Sequence, residues 1–247
     1  MARQYSLIKR VVQSVPGLRE FLATGFTWLP KPLSARVYAF LRRRVFRDNE
    51  RRMEAFRRAF EHVRATGSNR AIDYFEFGVA RGTSIISSYG LAREKCLALR
   101  IFAFDSFEGL PSSESAFVKG DMAYSQRIFL RFIDKAGVPA GEVTAVPGFF
   151  NQSLTDELKT RLGLSRAVSV FHNDSDLYES TRDVLAWIDD LAAPGSVLIF
   201  DDWFSFSHEA DPSRFGEQRA FGEWPSRGDW DLLYSDPGSN VAFVRNR

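Results

Sequence analysis

FHNDSDLYES, residues 171–180, joins the end of a hydrophobic strand to the start of an amphipathic helix. Asp174 and Asp176 follow the strand directly, whereas His172 lies within it and reads as a buried structural histidine rather than a ligand. Carboxylates at the C-terminal ends of parallel strands lie where open α/β sheets bind their ligands. The stretch therefore predicts a parallel sheet with an acidic site at its carboxyl edge.

VLIFDDW, residues 197–203, repeats this arrangement with Asp201 and Asp202. Two neighbouring strands that end in this way would bring Asp174, Asp201 and Asp202 within reach of one ion. A set of oxygen ligands without cysteine favours a hard cation, Mg²⁺ first and Mn²⁺ or Ca²⁺ after it. The alternative is that Asp176 and Asp202 only cap the helices that follow them.

Strands and helices alternate from about residue 71, which predicts a sheet covered by helices on both faces. The expected strands are 72–78, 99–105, 142–148, 167–174 and 196–202, followed by a closing hairpin of 229–235 and 240–246. We therefore predict a single doubly wound, Rossmann-like α/β domain over residues 69–247. Its seven-stranded sheet should have an antiparallel last strand.

Residues 1–68 form, on this interpretation, a helical N-terminal arm or lid. Prolines and glycines interrupt the first 35 residues, whereas 35–64 has a helical pattern with an apolar face of Met53, Phe56, Phe60 and Val63. Arginines crowd this region, and we interpret them as a solvated or oligomer-facing surface, with anionic lipid or an acidic partner as alternatives. We expect the arm to form a homodimer contact.

The composition excludes several classes of protein. With 247 residues and a net charge of +2, the chain has no strong overall field for nucleic acid. No apolar run approaches the roughly 18 residues of a membrane-spanning helix, and no signal peptide is evident. The single cysteine, Cys96, excludes an internal disulfide and is expected to be a small buried residue. These features favour a cytoplasmic protein without stable membrane insertion.

The first predicted strand leads into a glycine turn, Glu76-Phe77-Gly78-Val79-Ala80-Arg81-Gly82. Its glycines allow close approach of a nucleotide-like ligand, although the spacing lacks the third glycine of the dinucleotide fingerprint. Asp105, at the end of the second strand, can accept both hydroxyls of a ribose. S-adenosylmethionine, with a ribose and two cationic groups, matches these acidic residues better than a pyrophosphate does. The alternative is a tight turn without a ligand.

Several motifs together resemble the macrocin O-methyltransferase (TylF type) family. They run in consistent order from about residue 70 to 224, and the N-terminal arm and last hairpin contribute little: EFGVARGTS (76–84), FDSFEGLP (104–111), PGFF (147–150), HNDSDLYESTRDVL (172–185), PGSVLIFDDW (194–203) and GEQRAF (216–221). The resemblance implies a class I methyltransferase domain that uses S-adenosylmethionine and Mg²⁺ to methylate sugar hydroxyls of bacterial natural products.

The same resemblance implies roles for individual residues. Asp174, Asp201 and Asp202 would bind the metal, and Asp176 would be the general base. The residues that would hold the cofactor are Glu76, Gly78, Gly82, Ser84, Asp105 and Ser106. Asn173 departs from the family pattern, which has an apolar residue there. The sugar-binding loop has no recognisable pattern, so neither the acceptor nor a role for His208 follows from the sequence.

Three other functions are compatible with part of the pattern. A metal-dependent methyltransferase of phenols or catechols would use the same ion, but Leu177 replaces the lysine that such enzymes often carry after the first aspartate. An NAD-dependent Rossmann oxidoreductase is disfavoured by the missing third glycine and the absence of a hydride-transfer site. A non-catalytic binding protein would need neither a base nor a metal cluster.

Overall fold

The computed structural model describes residues 50–66 and 71–247. The predicted arm up to residue 49 and residues 67–70 lie outside this part, so the arm's structure and its homodimer contact stay predictions. The elements, in chain order, are α1 (50–65), β1 (Ile72–Phe77), α2 (Thr83–Glu94), β2 (Leu99–Asp105), α3 (Gln126–Lys135), β3 (Val143–Pro147), α4 (Phe150–Ser153), α5 (Asp156–Arg161), β4 (Ser169–Asn173), α6 (Tyr178–Ile188), β5 (Val197–Phe200), α7 (Gly216–Glu223), β6 (Trp230–Ser235) and β7 (Val241–Arg245).

The seven strands form one sheet in the order β3-β2-β1-β4-β5-β7-β6. The pairs among β1 to β5 are parallel, whereas β7 runs antiparallel to both β5 and β6. The predicted doubly wound α/β fold with an antiparallel last strand is confirmed. The strand order reverses between β1 and β4, which is where ligands bind in open α/β sheets.

Hydrophobic residues fill both sides of the sheet. All residues of β1, β4 and β5 are buried, as expected for parallel strands covered on both faces. One face packs against α1, α2 and α3, and the other against α5, α6 and α7. Phe75, near the centre, stacks on Phe102 and Phe171 of the two neighbouring strands, at centroid distances of 5.0 and 4.9 Å. These aromatic contacts join β1 to the strands on either side of it.

Helix α1 belongs to the core of the compact unit Glu50–Arg247. Its predicted apolar residues Met53, Phe56, Phe60 and Val63 are all buried. Phe56 makes an edge contact with His172 of β4, and Phe60 packs beside Tyr74 of β1. The part of the predicted arm that the structure describes therefore covers the sheet next to the acidic site.

The structure corrects several local predictions. The sequence predicts a helix that begins at Ser153 with Leu154, Leu158 and Leu162 on one face, but α4 ends at Ser153 and α5 begins only at Asp156. Thr155 caps α5 by accepting a hydrogen bond from Leu158 N. The spacing of Ile128, Phe129, Phe132 and Ile133 in α3 predicts that all four face the core. Only Phe129 and Ile133 are buried, whereas Ile128 and Phe132 are 47% and 44% exposed.

Two predictions drawn from the composition have different outcomes. Cys96 is exposed and has a positive φ of 56° at the end of α2, so it is not the buried residue expected. Within residues 50–66 and 71–247, no helix combines the length and the apolar character that a membrane span requires.

Candidate active site

The predicted site residues lie at the carboxyl ends of four adjacent parallel strands. Glu76 and Gly78 belong to β1 and its turn, Asp105 to β2, Asp174 follows β4 and Asp201 follows β5. The sheet order places β1 and β4 at its centre. All the predicted cofactor and metal residues therefore gather around the point where the strand order reverses.

The glycine turn lies directly against the end of β4. Gly78 has a φ of +89°, and a Cβ at this position would lie 2.0 Å from the carbonyl oxygen of Asp174. Asp174 N donates to Phe77 O, and Gly78 N donates to Phe104 O. Only glycine combines this backbone conformation with such close contact. The turn thus brings the predicted cofactor loop to the first carboxylate of the acidic site.

Asp105 holds the glycine turn through hydrogen bonds. Its Oδ2 accepts from Val79 N and Ala80 N at 2.9 and 3.0 Å, and its Oδ1 accepts from Phe107 N at 2.7 Å. These three bonds use most of the roughly four acceptor positions of a carboxylate. Asp105 therefore lies where the sequence predicts, but accepting two ribose hydroxyls would require the release of a turn N–H. The adjacent Ser106 donates to Gly109 O within its own loop.

Glu76 lies below the turn and is completely buried. It accepts hydrogen bonds from Ser84 Oγ and Tyr74 Oη, both at 2.5 Å, and His172 Nδ1 lies 3.2 Å from its Oε2. Gly82 begins α2 with a φ of +85°. Glu76 and Ser84 thus bind each other inside the protein, where they support the turn that a cofactor would contact.

Asp174, Asp201 and Asp202 form a compact group of carboxylates, as the sequence predicts. Each offers one oxygen, and these oxygens lie within 4.8 Å of one another. Two oxygens bound to one Mg²⁺ can be at most about 4.2 Å apart, and two bound to one Ca²⁺ at most about 5.2 Å, given their usual ligand distances. The set therefore fits a hard divalent cation with at most a small inward movement.

Arg52 of α1 is the unexpected member of this group. Its Nη2 donates to Asp174 Oδ2 at 2.5 Å, and its Nε lies 2.7 Å from Asp201 Oδ1. One edge of the guanidinium thus joins the aspartates that follow β4 and β5. The prediction that the arginines of this region form a solvated or oligomer-facing surface is wrong for Arg52.

Burial and mutual repulsion control the charges of the carboxylates. Burial raises the pKa of Asp174 to about 8, against the opposing charge of Arg52. Burial and the charge of Asp201 raise the pKa of Asp202. Burial alone would raise the pKa of Asp201 too, but Arg52 and His172 outweigh it and lower that pKa. One guanidinium therefore does not neutralise the whole cluster.

His172 adds a second positive group beneath the carboxylates. Burial alone would lower its pKa, but interactions with Asp201 and Glu76 raise that pKa to about 9. Its Nε2 points toward Asp201, 3.7 Å from Oδ1, and makes no hydrogen bond there. The prediction of a buried histidine is confirmed. This histidine lies between Glu76, below the glycine turn, and Asp201 of the acidic site.

Asp176 is buried at the edge of the same cluster, with a φ of 63°. Its carboxyl group is within hydrogen-bonding reach of Asp202. The alternative of helix capping is not supported. The N-cap residue of α6 is Leu177, not Asp176, and Asp202 accepts a hydrogen bond from Ser205 Oγ at 2.6 Å. Asp176 thus lies beside the three candidate ligands without belonging to the compact group.

Asn173, the departure from the family pattern, is buried and satisfied by its neighbours. Its Nδ2 donates to Glu217 Oε1 at 2.7 Å and to Thr181 Oγ1 at 3.1 Å, and its Oδ1 accepts from Ser175 Oγ. Glu217 is fully buried, and burial together with the charge of Asp202 raises its pKa well above the usual range. The local strand geometry is therefore regular, and a polar network replaces the apolar contact.

Glu114, in the loop between β2 and α3, joins the loops that surround Asp176. Its Oε2 accepts from Tyr178 N at 2.7 Å, at the start of α6. Its Oε1 accepts from Gly216 N at 2.9 Å, at the start of α7. One carboxylate thus occupies the N-termini of two helices, where negative charge is favourable. No local motif around Glu114 predicts these distant contacts.

Comparison with known proteins agrees with this site. The sequence profile of the macrocin O-methyltransferase (TylF) family matches residues 48–220. An 8-demethyl-8-(2,3-dimethoxy-alpha-L-rhamnosyl)-tetracenomycin-C 4'-O-methyltransferase from Streptomyces olivaceus is 30% identical over 143 residues, 53% of this chain and 52% of that protein. Demethyldecarbamoylnovobiocin O-methyltransferase from Streptomyces niveus is 30% identical over 166 residues, 62% of this chain and 60% of that protein. The chain thus matches between half and two thirds of the length of these relatives.

Solved structures share the fold. The O-methyltransferase NovP has a TM-score of 0.61 at 24% identity, with 79% of this chain and 80% of that chain covered. The calicheamicin methyltransferase CalS11 has a TM-score of 0.62 at 19% identity, with 99% of this chain and 91% of that chain covered. Because the family profile covers most of the chain, including both aspartate motifs, the chain belongs to the macrocin O-methyltransferase (TylF) family.

Proposed function

We propose that this protein is an O-methyltransferase that uses S-adenosylmethionine and Mg²⁺ to methylate a hydroxyl of a sugar-bearing small molecule. The proposal rests on the position of the three clustered aspartates, which lie beside the glycine turn at the point where the strand order reverses. The chain that carries them belongs to a family of O-methyltransferases. A methyl donor bound at the turn and an acceptor bound at the aspartates would be neighbours there.

The geometry of the turn supports the proposed cofactor residues. Gly78 leaves the backbone of the turn without a side chain, and Asp105 fixes the peptide groups of Val79 and Ala80. Glu76, Ser84, Gly82 and Ser106 hold the turn and the adjoining loop in place. In this proposal the donor supplies an already activated methyl group, so the protein has to position the acceptor hydroxyl in line with it.

The carboxylate cluster supports the metal part of the proposal. Asp174, Asp201 and Asp202 would hold Mg²⁺, which would act there as a template and Lewis acid for the acceptor oxygens. Asp176 would accept the proton that the acceptor hydroxyl loses on methylation, and the donor would leave as S-adenosylhomocysteine. Its burial next to Asp202 keeps this base close to the candidate ligands and away from bulk water.

The acceptor class rests on the two curated relatives. One is named for methylation of a rhamnosyl tetracenomycin and the other for methylation of demethyldecarbamoylnovobiocin. By similarity, we propose a sugar hydroxyl of a natural product as the acceptor. The phenol alternative gains no support from the structure, because Leu177 is 1% exposed in an apolar cluster with Leu110, Phe117 and Phe206.

Metal removal tests the proposed reaction. With labelled S-adenosylmethionine and a panel of deoxysugar glycosides and simple phenols, we expect label transfer to a glycoside in Mg²⁺ that falls to background in EDTA and returns when Mg²⁺ is added back. The reason is that a divalent cation would bind and polarise the acceptor oxygens directly, whereas the guanidinium of Arg52 is already paired with Asp174 and Asp201. Transfer that is unchanged in EDTA would rule out the metal requirement, and transfer only to phenols would rule out the sugar acceptor.

Asp105→Asn tests the cofactor site. We expect the dissociation constant for S-adenosylmethionine, measured by calorimetry, to rise about tenfold to a hundredfold, because hydrogen bonds to a charged group contribute about 1.5–3 kcal/mol. Glu108→Gln is the matched control, since Glu108 is exposed in the same loop and undergoes the same loss of charge. Equal affinities of the Asp105 variant and the control would remove Asp105 from the cofactor site.

A further inference from the structure

The position of Arg52 raises a question about the ion that the carboxylate cluster would bind. Arg52 bridges Asp174 and Asp201, two of the three candidate ligands, through Nη2 and Nε. The guanidinium side chain is 29% exposed, although its Nε is buried. An arginine does not lose its proton in this environment, so a fixed positive charge stands among the carboxylates whether or not an ion is present.

The arginine is fixed from its own helix as well. Phe56 and Phe60, one and two turns further along α1, are completely buried against the sheet. The backbone oxygen of Arg52 accepts from Asn240 Nδ2 at 3.0 Å, beside the start of β7. The helix therefore cannot carry Arg52 away from the carboxylates without disturbing the core, and the long side chain alone is free to adjust.

We propose that Arg52 offsets part of the negative charge of the carboxylate cluster in the absence of an ion and thereby weakens the binding of divalent cations. The inference rests on the proposed metal site and concerns how tightly that site holds its ion. A cation bound to Asp174 and Asp201 would share both carboxylates with the guanidinium. The cation and the guanidinium would then be neighbours of like charge, which repel each other strongly in a partly buried site. At the same time the guanidinium relieves the repulsion that an empty cluster would suffer.

Arg52→Gln separates these effects. We expect the variant to bind Mg²⁺ at least tenfold more tightly than the wild type in calorimetric titrations of the metal alone. We also expect its melting temperature to fall in EDTA, where the carboxylates lose their counter-charge, and to rise more on addition of Mg²⁺ than that of the wild type. If the variant does not fold in EDTA, its folding as a function of Mg²⁺, followed by circular dichroism, measures the same affinity.

Arg51→Gln is the matched control. Arg51 is the neighbouring residue on the same helix, but its guanidinium pairs with Asp236, with contacts of 2.5 and 2.9 Å. The control changes the charge by the same amount outside the cluster, so its Mg²⁺ affinity should remain that of the wild type. Arg52→Lys keeps the charge without the two-pronged geometry and should also bind Mg²⁺ as weakly as the wild type.

The outcomes distinguish this inference from the proposed function. Weaker or unchanged Mg²⁺ binding by Arg52→Gln would overturn the inference and would indicate an arginine that organises the ligands instead. Tight binding by Arg52→Lys would overturn the electrostatic explanation. If the wild type transfers methyl groups in EDTA while Arg52→Gln gains Mg²⁺ affinity, the metal requirement of the proposed function fails but the role of Arg52 stands.

Discussion

Asp176→Asn is expected to lower turnover by about a hundredfold to ten-thousandfold, the usual contribution of a positioned general base. The amide keeps the size of the side chain and can still hydrogen-bond to Asp202, but it cannot take the proton of the acceptor hydroxyl. The affinities for S-adenosylmethionine and Mg²⁺ should remain within a factor of two or three of the wild type. Single-turnover transfer of a labelled methyl group, with separate calorimetric titrations of cofactor and metal, measures these effects.

Asp201→Ala is the comparison that gives this result its meaning. Asp201 belongs to the compact group of candidate ligands and contacts Arg52, whereas Asp176 lies beside the group. We expect the Asp201 variant to lose measurable Mg²⁺ binding together with activity. If both variants lose the metal equally, Asp176 is a ligand and the proposed division between ligands and base is wrong.

Gly78→Ala is expected to destabilise the protein by about 4 kcal/mol or more, among the larger effects of single substitutions. The backbone at φ +89° strains any residue with a Cβ, at a typical energy of about 1–3 kcal/mol. The added Cβ would also lie 2.0 Å from the carbonyl oxygen of Asp174, so β1 and β4 would have to separate where the cofactor turn meets the acidic site. Urea denaturation followed by circular dichroism measures the loss.

Gly90→Ala provides the control for this substitution. Gly90 lies in the exposed part of α2, and a Cβ there meets no atom within 4 Å. Alanine is favoured over glycine inside a helix by about 1 kcal/mol, so this variant should be slightly more stable than the wild type. If Gly78→Ala costs less than about 1 kcal/mol, the tight approach of the turn to Asp174 is not required for folding.

The fold and the grouping of the aspartates could be predicted because both depend on local pattern. Alternating strands and helices specify a parallel sheet, and a parallel sheet places all its strand ends at one edge. Asp174 and Asp201 therefore had to be neighbours once their strands were adjacent. The predicted strand 99–105 agrees with β2 at both ends, whereas most other predicted strands are one or two residues too long at an end, as at 167–174 for β4. The residue pattern alone does not mark where the ladder hydrogen bonds of a strand begin and end.

The contacts of Arg52 and Glu114 could not be predicted in the same way. Arg52 stands among several arginines with the same local surroundings, and only the packing of α1 on the sheet selects it for the carboxylates. Ser153 illustrates a different limit: the spacing of the leucines around it is helical, yet the chain turns between α4 and α5. Here the capping of α5 by Thr155 overrides the periodicity.

The hydrogen bonds of Glu114 affect how the proposed acceptor preference of this protein could change. Its carboxylate, in the loop after β2, accepts hydrogen bonds from the first residues of α6 and α7, so three loops around Asp176 are joined by one side chain. An insertion or exchange in any one of these loops would therefore disturb the hydrogen bonds that position the other two. We therefore expect a change of acceptor preference to require exchange of all three loops together. Exchange of a single loop should displace the proposed base Asp176 before it alters selectivity.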